Sequence, residues 1–366
     1  MTRPLLVALA LVALAARASA DDLPQWGQGP FEVSDPGFLA QLRLDPYARS
    51  PRTLEPGHVE LSGRYVMENT SSWDDDTSAF APGSFPEEPL HRVTIAAETR
   101  DIRFVARVGV FPRVELGVEL GAVHWQGGGI LDKIIRDWHN LVGTTNTERS
   151  HLRRDAYAVQ AIEPDGRVYT APGPLTGLGD GAATARVLAL EGSDVCPAVA
   201  LTLRTWIPVS NRSFGHAHGT AETFQLDLSK RLFDWPIVLY ASGAYTYYDE
   251  CTLDDLSLVR HRFMGAFGIE WEIDPVFSIV VHYMEETRRE ASLWRHTDIV
   301  FGNYLQYIAF GLKIQPVPGL RIEVGAIEHV LDPDVTGTFG VLLNLSWEFD
   351  AGALLGGAAP ARAAGS

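Results

Sequence analysis

Apolar and polar residues alternate along most of this chain, in segments long enough to cross a membrane as strands. From Val59 to Glu68 the odd positions are apolar or small and the even ones are mostly charged or polar, and the same period of two returns from Phe339 to Phe349. This alternation predicts β-strands with two different faces, and a tilted strand crosses a bilayer with about 9–11 residues. We predict spanning strands at residues 59–69, 99–111, 113–125, 178–191, 196–208, 220–232, 236–248, 260–273, 275–286, 303–315, 318–328 and 337–349.

The connections between these segments alternate between short and long. The short ones include Phe111-Pro112-Arg113 and Phe233-Asp234-Trp235. The long ones cover residues 70–98, 126–177, 209–219, 249–259, 287–302 and 329–336. Short periplasmic turns, longer extracellular loops and an even strand number are typical of outer-membrane barrels, whereas a soluble β-sandwich lacks this asymmetry. The sequence therefore predicts an all-β protein, an antiparallel up-and-down transmembrane β-barrel of about 12 strands.

The two ends of the chain differ from the alternating middle. Residues 1–20 have a positive Arg3, an apolar run and a small-residue site, which predicts a cleaved signal peptide. Residues 21–57 contain six prolines, which exclude a long regular element, so we expect either a periplasmic arm or a plug inside the barrel. Residues 58–349 form the predicted barrel, and residues 350–366 are an Ala- and Gly-rich tail.

Composition restricts the possible cellular location and binding partners of the protein. The net charge of −16 argues against binding to nucleic acid. The pattern instead predicts the outer membrane of a Gram-negative bacterium, with outer-membrane lipid and a small solute as partners. Trp347 and Phe349 end the last strand and resemble the aromatic signal that the barrel-assembly machinery reads. Cys196 and Cys251 fall at opposite rims of the predicted barrel, too far apart for a disulfide, so we expect two free thiols.

The alternation also predicts which charged side chains point into the barrel. In the hairpin that turns at Pro112, Arg103 and Arg107 fall close to Glu115 and Glu119, and opposite charges across a strand pair are stabilising. Such a set is either a selectivity lining or a salt-bridged structural core. The predicted lumen lining comprises Glu60, Arg64, Arg103, Arg107, Glu115, Glu119, Arg186, Arg204, Glu270, Arg321 and Glu323.

One segment of the longest loop has helical spacing instead. In residues 130–141, Leu131, Ile134, Ile135 and Trp138 recur at intervals of three and four, which predicts a short amphipathic helix in an extracellular loop. This predicted gating helix could cap the pore or lie in the outer interface, where it would control lateral escape of an apolar compound. A third interpretation is a helix that only covers the barrel rim.

Short motifs spread over the mature chain resemble those of an outer-membrane family known as domain of unknown function 3187. They include Gly29-Pro30-Phe31, the run from Gly128 to Asp132, Gly177-Leu178-Gly179-Asp180 and Asp332-Pro333-Asp334. The resemblance implies an outer-membrane location and a barrel fold. It implies no particular chemistry, because the family has no established activity.

Nothing in the sequence indicates an enzyme or a cofactor. The pair His216 and His218 falls in a predicted loop, where solvated histidines are more common than metal ligands, and no cysteine and histidine residues have metal-site spacing. We therefore expect no catalytic residues, no metal and no cofactor. The leading functional prediction is passive or gated passage of a small solute. The alternative is a non-transporting structural or interaction barrel that uses its long extracellular loops.

Overall fold

A computed structural model of the chain shows a closed antiparallel β-barrel. It describes residues 27–34, 46–74, 92–127, 129, 131, 134, 137, 158–162, 168–170, 174–209, 219–232, 235–249, 252–253, 256–257, 260–274, 276–287, 304–329 and 339–354. The strands are β1 (His58–Asp74), β2 (Arg92–Phe111), β3 (Val114–Gln126), β4 (Ala158–Ile162), β5 (Val168–Thr170), β6 (Leu175–Leu190), β7 (Ala198–Ile207), β8 (Ala221–Arg231), β9 (Ile237–Tyr248), β10 (Thr252–Leu253), β11 (Leu256–Ser257), β12 (His261–Glu272), β13 (Phe277–Thr287), β14 (Tyr304–Val317), β15 (Leu320–His329) and β16 (Phe339–Asp350).

Twelve of these strands close the barrel, which confirms the predicted fold class. Each pairs antiparallel with its neighbours in the order β1, β2, β3, β6, β7, β8, β9, β12, β13, β14, β15, β16, and β16 pairs back to β1. The closing pair runs from His58 opposite Asp350 to Asn69 opposite Phe339. Closure leaves no free sheet edge around the barrel, as lipid requires of a spanning sheet.

Beyond the barrel body the sheet continues in two places that the sequence assigned to loops. β1 runs on to Asp74 and β2 begins at Arg92, so their connection is shorter than the predicted loop 70–98. Within the predicted loop 126–177, β4 pairs with β2 and β5 pairs with β4. A small separate hairpin, β10 and β11, follows β9.

The two faces of the sheet differ as the alternation predicts. Leu116 and Val118 of β3 are 42% and 59% exposed, whereas their neighbours Glu115 and Glu119 are buried. In a membrane barrel the exposed apolar face meets acyl chains, and the buried polar face meets the interior. The register of every strand follows from this division, because a shift by one residue would place charges in lipid.

The short turns cluster at one end of the barrel. The turn between β2 and β3 is Pro112-Arg113, where Arg113 has a φ of 68°, and the turn between β14 and β15 contains Gly319 with a φ of 83°. The turn between β6 and β7 contains Cys196, which is exposed and free. Cys251 lies outside the described residues, so the prediction of two free thiols stays a prediction.

Helix is scarce in the described part of the chain. A single turn, α1 (Ala351–Leu354), follows β16. Of the predicted gating helix, the described residues Leu131, Ile134 and Asp137 have helical backbone, and Ile135 and Trp138 lie outside the description; the loop helix is not confirmed. None of the described helical residues belongs to a helix long and apolar enough to cross a membrane.

Candidate functional site: the barrel interior and the N-terminal arm

All eleven residues predicted to line the lumen stand at inward-facing positions. Nine of them are buried, while Arg103 and Arg321 keep a partly exposed side chain. Their neighbours in the strands face outward, as the exposed Ile102, Phe104 and Val324 show. The structure thus brings these charged groups together inside one barrel. Their part in selectivity stays a prediction.

The interior is not empty, because described residues of the N-terminal segment lie inside it. We call residues 27–34 and 46–57 the arm. Its Phe31, Val33 and Tyr47 are fully buried, although they precede the first barrel strand. The end of the arm is tied to β2, where Pro56 bridges to Gly109 and the amide of Gly57 donates to the Gly109 carbonyl at 2.8 Å.

Arg107 of β2 is the centre of the contact between arm and wall. Its guanidinium forms ion pairs with Glu32 of the arm and with Glu60 of β1. It also donates to the hydroxyl of Tyr47, across 3.2 Å. One wall residue therefore holds two separate pieces of the arm, and Glu32 links it to a second arginine, Arg49, at 3.1 Å.

Arg49 extends this network along the wall from β3 to β8. Its guanidinium lies 2.9 Å from the Glu115 carboxylate of β3, and its backbone amide donates to Asp227 of β8 at 3.3 Å. Asp227 in turn pairs with Arg186 of β6 at 2.9 Å. Arg186 also donates to the backbone carbonyl of Ser50. Through Arg49 the arm thus connects β3 and β8, two strands that are not paired with each other.

Glu270 of β12 is a second anchor and binds the backbone of the arm. It accepts from the amide of Gln28 at 3.0 Å and from the amide of Gly29 at 3.1 Å. The hydroxyls of Tyr240 and Ser278 donate to the same carboxylate. Gly29 has a φ of 94°, a conformation that favours glycine, so the bend that presents these two amides depends on this residue.

Lys313 of β14 holds the next arm residue from the other side. Its ammonium donates to the Pro30 carbonyl at 2.8 Å and to Glu323 of β15 at 2.6 Å. Arg321 also lies near Glu323, at 3.2 Å. Sequence reasoning did not single out Lys313 or Tyr240, because the arm atoms that they contact are backbone atoms of a segment without periodicity.

An aromatic ring of the arm lies between two arginines of the wall. Tyr47 lies 4.3 Å from the guanidinium carbon of Arg204 and 4.7 Å from that of Arg64, measured to the ring centroid. Its hydroxyl donates to Glu119 at 2.8 Å, and Glu119 pairs with Arg204 at 3.1 Å. Cation–π contacts of this kind strengthen when they are removed from water.

The charge arrangement fixes the ionisation of the arm. Burial raises the pKa of the Glu32 carboxyl, but the guanidinium groups of Arg107 and Arg49 outweigh burial and hold that pKa well below its usual range. Glu32 therefore stays a carboxylate at neutral pH. Removing one partner from a buried pair costs about 3–5 kcal/mol, so the docked arm and the wall charges depend on each other.

Leu131, at the start of the predicted gating helix, lies on the outside of the wall. Leu131 is buried against Met67, on the outward face of β1, and its amide lies 3.4 Å from the Glu98 carboxylate. Glu98 also accepts from Arg100 at 2.8 Å and from Gln126 at 2.6 Å. This placement is beside the barrel rather than over its opening. A gating role for the segment stays a prediction.

A metal site is not apparent in the described part of the chain. No group of three or more His, Cys, Asp or Glu residues there could hold a metal ion. The loop pair His216 and His218 lies outside the described residues. The described interior holds a dense set of charged and hydrogen-bonding groups.

A closed twelve-stranded barrel with an apolar outer belt and a charged interior defines the class of outer-membrane β-barrels. Within that class, residues 5–349 match the model of the family described as Protein of unknown function (DUF3187), and the chain belongs to this family. A comparison with curated proteins finds no match.

Solved structures with a similar fold are outer-membrane barrels. The COG4313 outer membrane channel from Pseudomonas putida F1 is 12% identical, with a TM-score of 0.51, over 84% of this chain and 100% of that one. The NanC porin is 9% identical, with a TM-score of 0.41, over 79% and 98%. A FadL homologue from Pseudomonas aeruginosa is 10% identical, with a TM-score of 0.34, over 91% and 99%. At these identities the likeness concerns the fold alone.

Proposed function

We propose that this protein is an outer-membrane channel for small solutes whose path is closed by its own N-terminal arm. The observation that carries the proposal is the position of the arm, which lies inside the barrel and contacts inward-facing groups from β1 to β15. The fold shared with the Pseudomonas putida channel is consistent with this role.

The chemistry of the contact between arm and wall favours a removable plug. Many of the wall groups that hold the arm are charged, among them Arg107, Glu115, Asp227, Glu270 and Lys313. If the arm left, water could solvate these charges, whereas an apolar wall would resist wetting. The same side chains would then line a hydrated pore, which is the lining role predicted for the charged set.

The proposal includes the route to the membrane. Residues 1–20 would direct export, and the barrel-assembly machinery would read the aromatic end of β16 at Trp347 and Phe349. Outer-membrane lipid would cover exposed apolar residues such as Leu343 and Leu345. The proposal involves no catalytic step and no cofactor.

The test is solute flux into liposomes that contain the purified protein. Changing Glu32→Gln and Arg49→Ala together alters only the arm and removes its ion pairs to Arg107 and Glu115. We expect faster swelling in glycerol or arabinose than with the wild-type protein. The matched control is Arg52→Ala, which changes an exposed arm arginine paired with Glu348 and should leave the rate unchanged.

A non-transporting barrel is the alternative, and the filled interior is the observation that favours it. In that case the arm is a permanent core, and the long extracellular loops are the working surface. Liposomes with the doubly substituted, folded protein would then swell no faster than those with the wild type. That result would reject the channel.

A further inference from the structure

One sector of the interior is apolar, in contrast to the charged surroundings. Here Phe31 and Val33 of the arm belong to one buried apolar cluster with side chains from seven strands. Its members are Phe31, Val33, Val66, Ala244, Met264, Val280, Met284, Tyr307, Ala309, Ile327 and Leu342. A hydrated pore has no need of such a surface. Because contact between apolar surface and water is unfavourable, we expect an apolar group to cover it. We call this sector the Phe31 chamber.

The wall of the chamber lies close to the Phe31 ring. A Cβ added at Gly325 of β15 would lie 3.4 Å from the tip of that ring, at ordinary van der Waals contact. The ammonium of Lys313 lies 5.4 Å from the ring centroid, within range of a cation–π contact. The ring is fully buried, so arm and wall together enclose it.

Beside the ring stands a polar group that Phe31 cannot satisfy. His282 of β13 is 1% exposed, and its ring centroid lies 6.0 Å from that of Phe31. Among the described residues, neither of its ring nitrogens has a hydrogen-bond partner. A buried polar group left without a partner destabilises the structure, because it has given up its hydrogen bonds to water. The phenyl ring of Phe31 fills the chamber but offers no hydrogen bond to this imidazole.

The contacts that hold the arm do not need the Phe31 ring. On one side, the Pro30 carbonyl accepts from Lys313, and on the other side the Glu32 carbonyl accepts from Arg64. Both contacts use the backbone. The ring is therefore a side-chain occupant of the chamber, placed there by a separately anchored segment.

We propose that the Phe31 chamber is a binding site for a small single-ring aromatic compound with one hydrogen-bonding group, and that Phe31 occupies this site while the arm is docked. The inference rests on the proposed channel and names the class of solute that its interior recognises. The ring of the compound takes the place of the Phe31 ring. Its polar group, such as a phenolic hydroxyl, hydrogen-bonds to His282.

The test uses 4-fluorophenol and fluorobenzene as probes, with binding followed by fluorine NMR on the full-length protein in detergent. Phe31→Ala vacates the chamber and keeps the backbone contacts of the arm. We expect this variant to bind 4-fluorophenol at least about tenfold more tightly than the wild type does, because the wild-type ring competes for the same space. Phe31→Leu, which keeps apolar bulk in the chamber, is the matched control and should bind like the wild type.

The role of His282 is tested in the same background. Adding His282→Leu to Phe31→Ala should weaken 4-fluorophenol binding by about tenfold, the effect of one hydrogen bond to a buried group, and leave fluorobenzene binding unchanged. Equal affinity of the wild type and Phe31→Ala for 4-fluorophenol would overturn the site. An equal loss of affinity for both probes would show that His282 does not hydrogen-bond to the phenolic hydroxyl. If Phe31→Ala does not fold, Phe31→Cys, whose small side chain also leaves most of the ring's space empty, carries the same test.

Failure of this site and failure of the channel give different results. Bound 4-fluorophenol with no solute flux through the arm variants would reject the channel but keep the site. Flux through those variants, together with a Phe31→Ala protein that ignores the probe, would reject the site but keep the channel.

Discussion

Arg186 and Asp227 form an ion pair that is fully buried on both sides, between β6 and β8. Asp227 also accepts from Gln225 and Ser242, so its loss would leave several donors without a partner. We predict that Asp227→Ala lowers the free energy of unfolding by about 3–5 kcal/mol, the cost of leaving one buried charge unpaired. Denaturant unfolding in detergent micelles measures it.

The control is a pair of the same type at the surface of the arm. Arg52 is 54% exposed and lies 3.0 Å from Glu348, so water screens the attraction. Arg52→Ala should cost less than about 1 kcal/mol. Similar losses for the two variants would mean that the interior around Asp227 is as wet as the surface.

The pKa of Glu32 predicts how docking of the arm responds to acid. A carboxyl whose pKa is lowered on folding contributes stability above its unfolded pKa, about 4.3, and loses it as pH falls through the lower folded value. Between pH 8 and 5 the arm should therefore stay docked. Amide hydrogen exchange of residues 27–34, corrected for intrinsic rates, should show constant protection over this interval. Loss of protection between pH 7 and 5 would contradict the assigned ion pairs.

Single residues show what alternation can and cannot predict. Arg107 and Glu115 were identified as inward-facing because a strand has a fixed period of two. Their partners Glu32 and Arg49 were not, because the proline-rich arm has no period and its contacts reach across up to 296 positions of the chain. The apolar Phe31 gave no local signal for a binding chamber.

At the scale of strands and turns, the sequence places the membrane-spanning part well and the outer extensions poorly. Residues 70–74 of β1 are Thr-Ser-Ser-Trp-Asp, and apolar and polar residues do not alternate clearly there. Apolar alternation is expected only where one face meets lipid. Strand that continues beyond the bilayer loses that contrast, which explains why the ends of β1 and β2 were assigned to a loop.

The outward faces of the strands support a depth-dependent prediction. Val118 is near the middle of β3, and we expect Val118→Arg to lower the free energy of unfolding by about 2–4 kcal/mol. Leu190 ends β6 beside a short turn and is also exposed, yet Leu190→Arg should cost only about 0–1 kcal/mol because Arg reaches water there. Refolding and unfolding in lipid vesicles measures both. An equal cost would contradict the position of the apolar belt.

The turn between β6 and β7 tests the orientation of the barrel. Cys196 is exposed in this turn, which belongs to the end with short connections. We predict that, with Cys251→Ser, a membrane-impermeant maleimide labels Cys196 only after the outer membrane is permeabilised. In a Cys196→Ser and Cys251→Ser protein, Ser72→Cys near the far end of β1 should be labelled on intact cells. The opposite labelling pattern would show that the barrel has the reverse orientation in the membrane.

For the whole molecule, different interactions determine the closure of the barrel and the occupation of its interior. The twelve-strand ladder follows from alternation and turn length, so the sequence predicts it directly. Whether residues 21–57 form an arm outside or a plug inside stayed open, because docking depends on contacts between distant segments. The structure places the described arm residues among the wall charges, and the proposed closed channel rests on that placement.

The most direct test of this account is single-channel recording in planar bilayers, with and without the arm. Deleting residues 21–54 removes all of the arm except Glu55, Pro56 and Gly57, and leaves every strand of the barrel in place. We predict discrete, long-lived conductance steps for the deletion protein and little or no conductance for the wild type under the same voltage. A folded deletion protein that is as silent as the wild type, or a wild type that conducts equally well, would contradict the claim that the arm closes the channel.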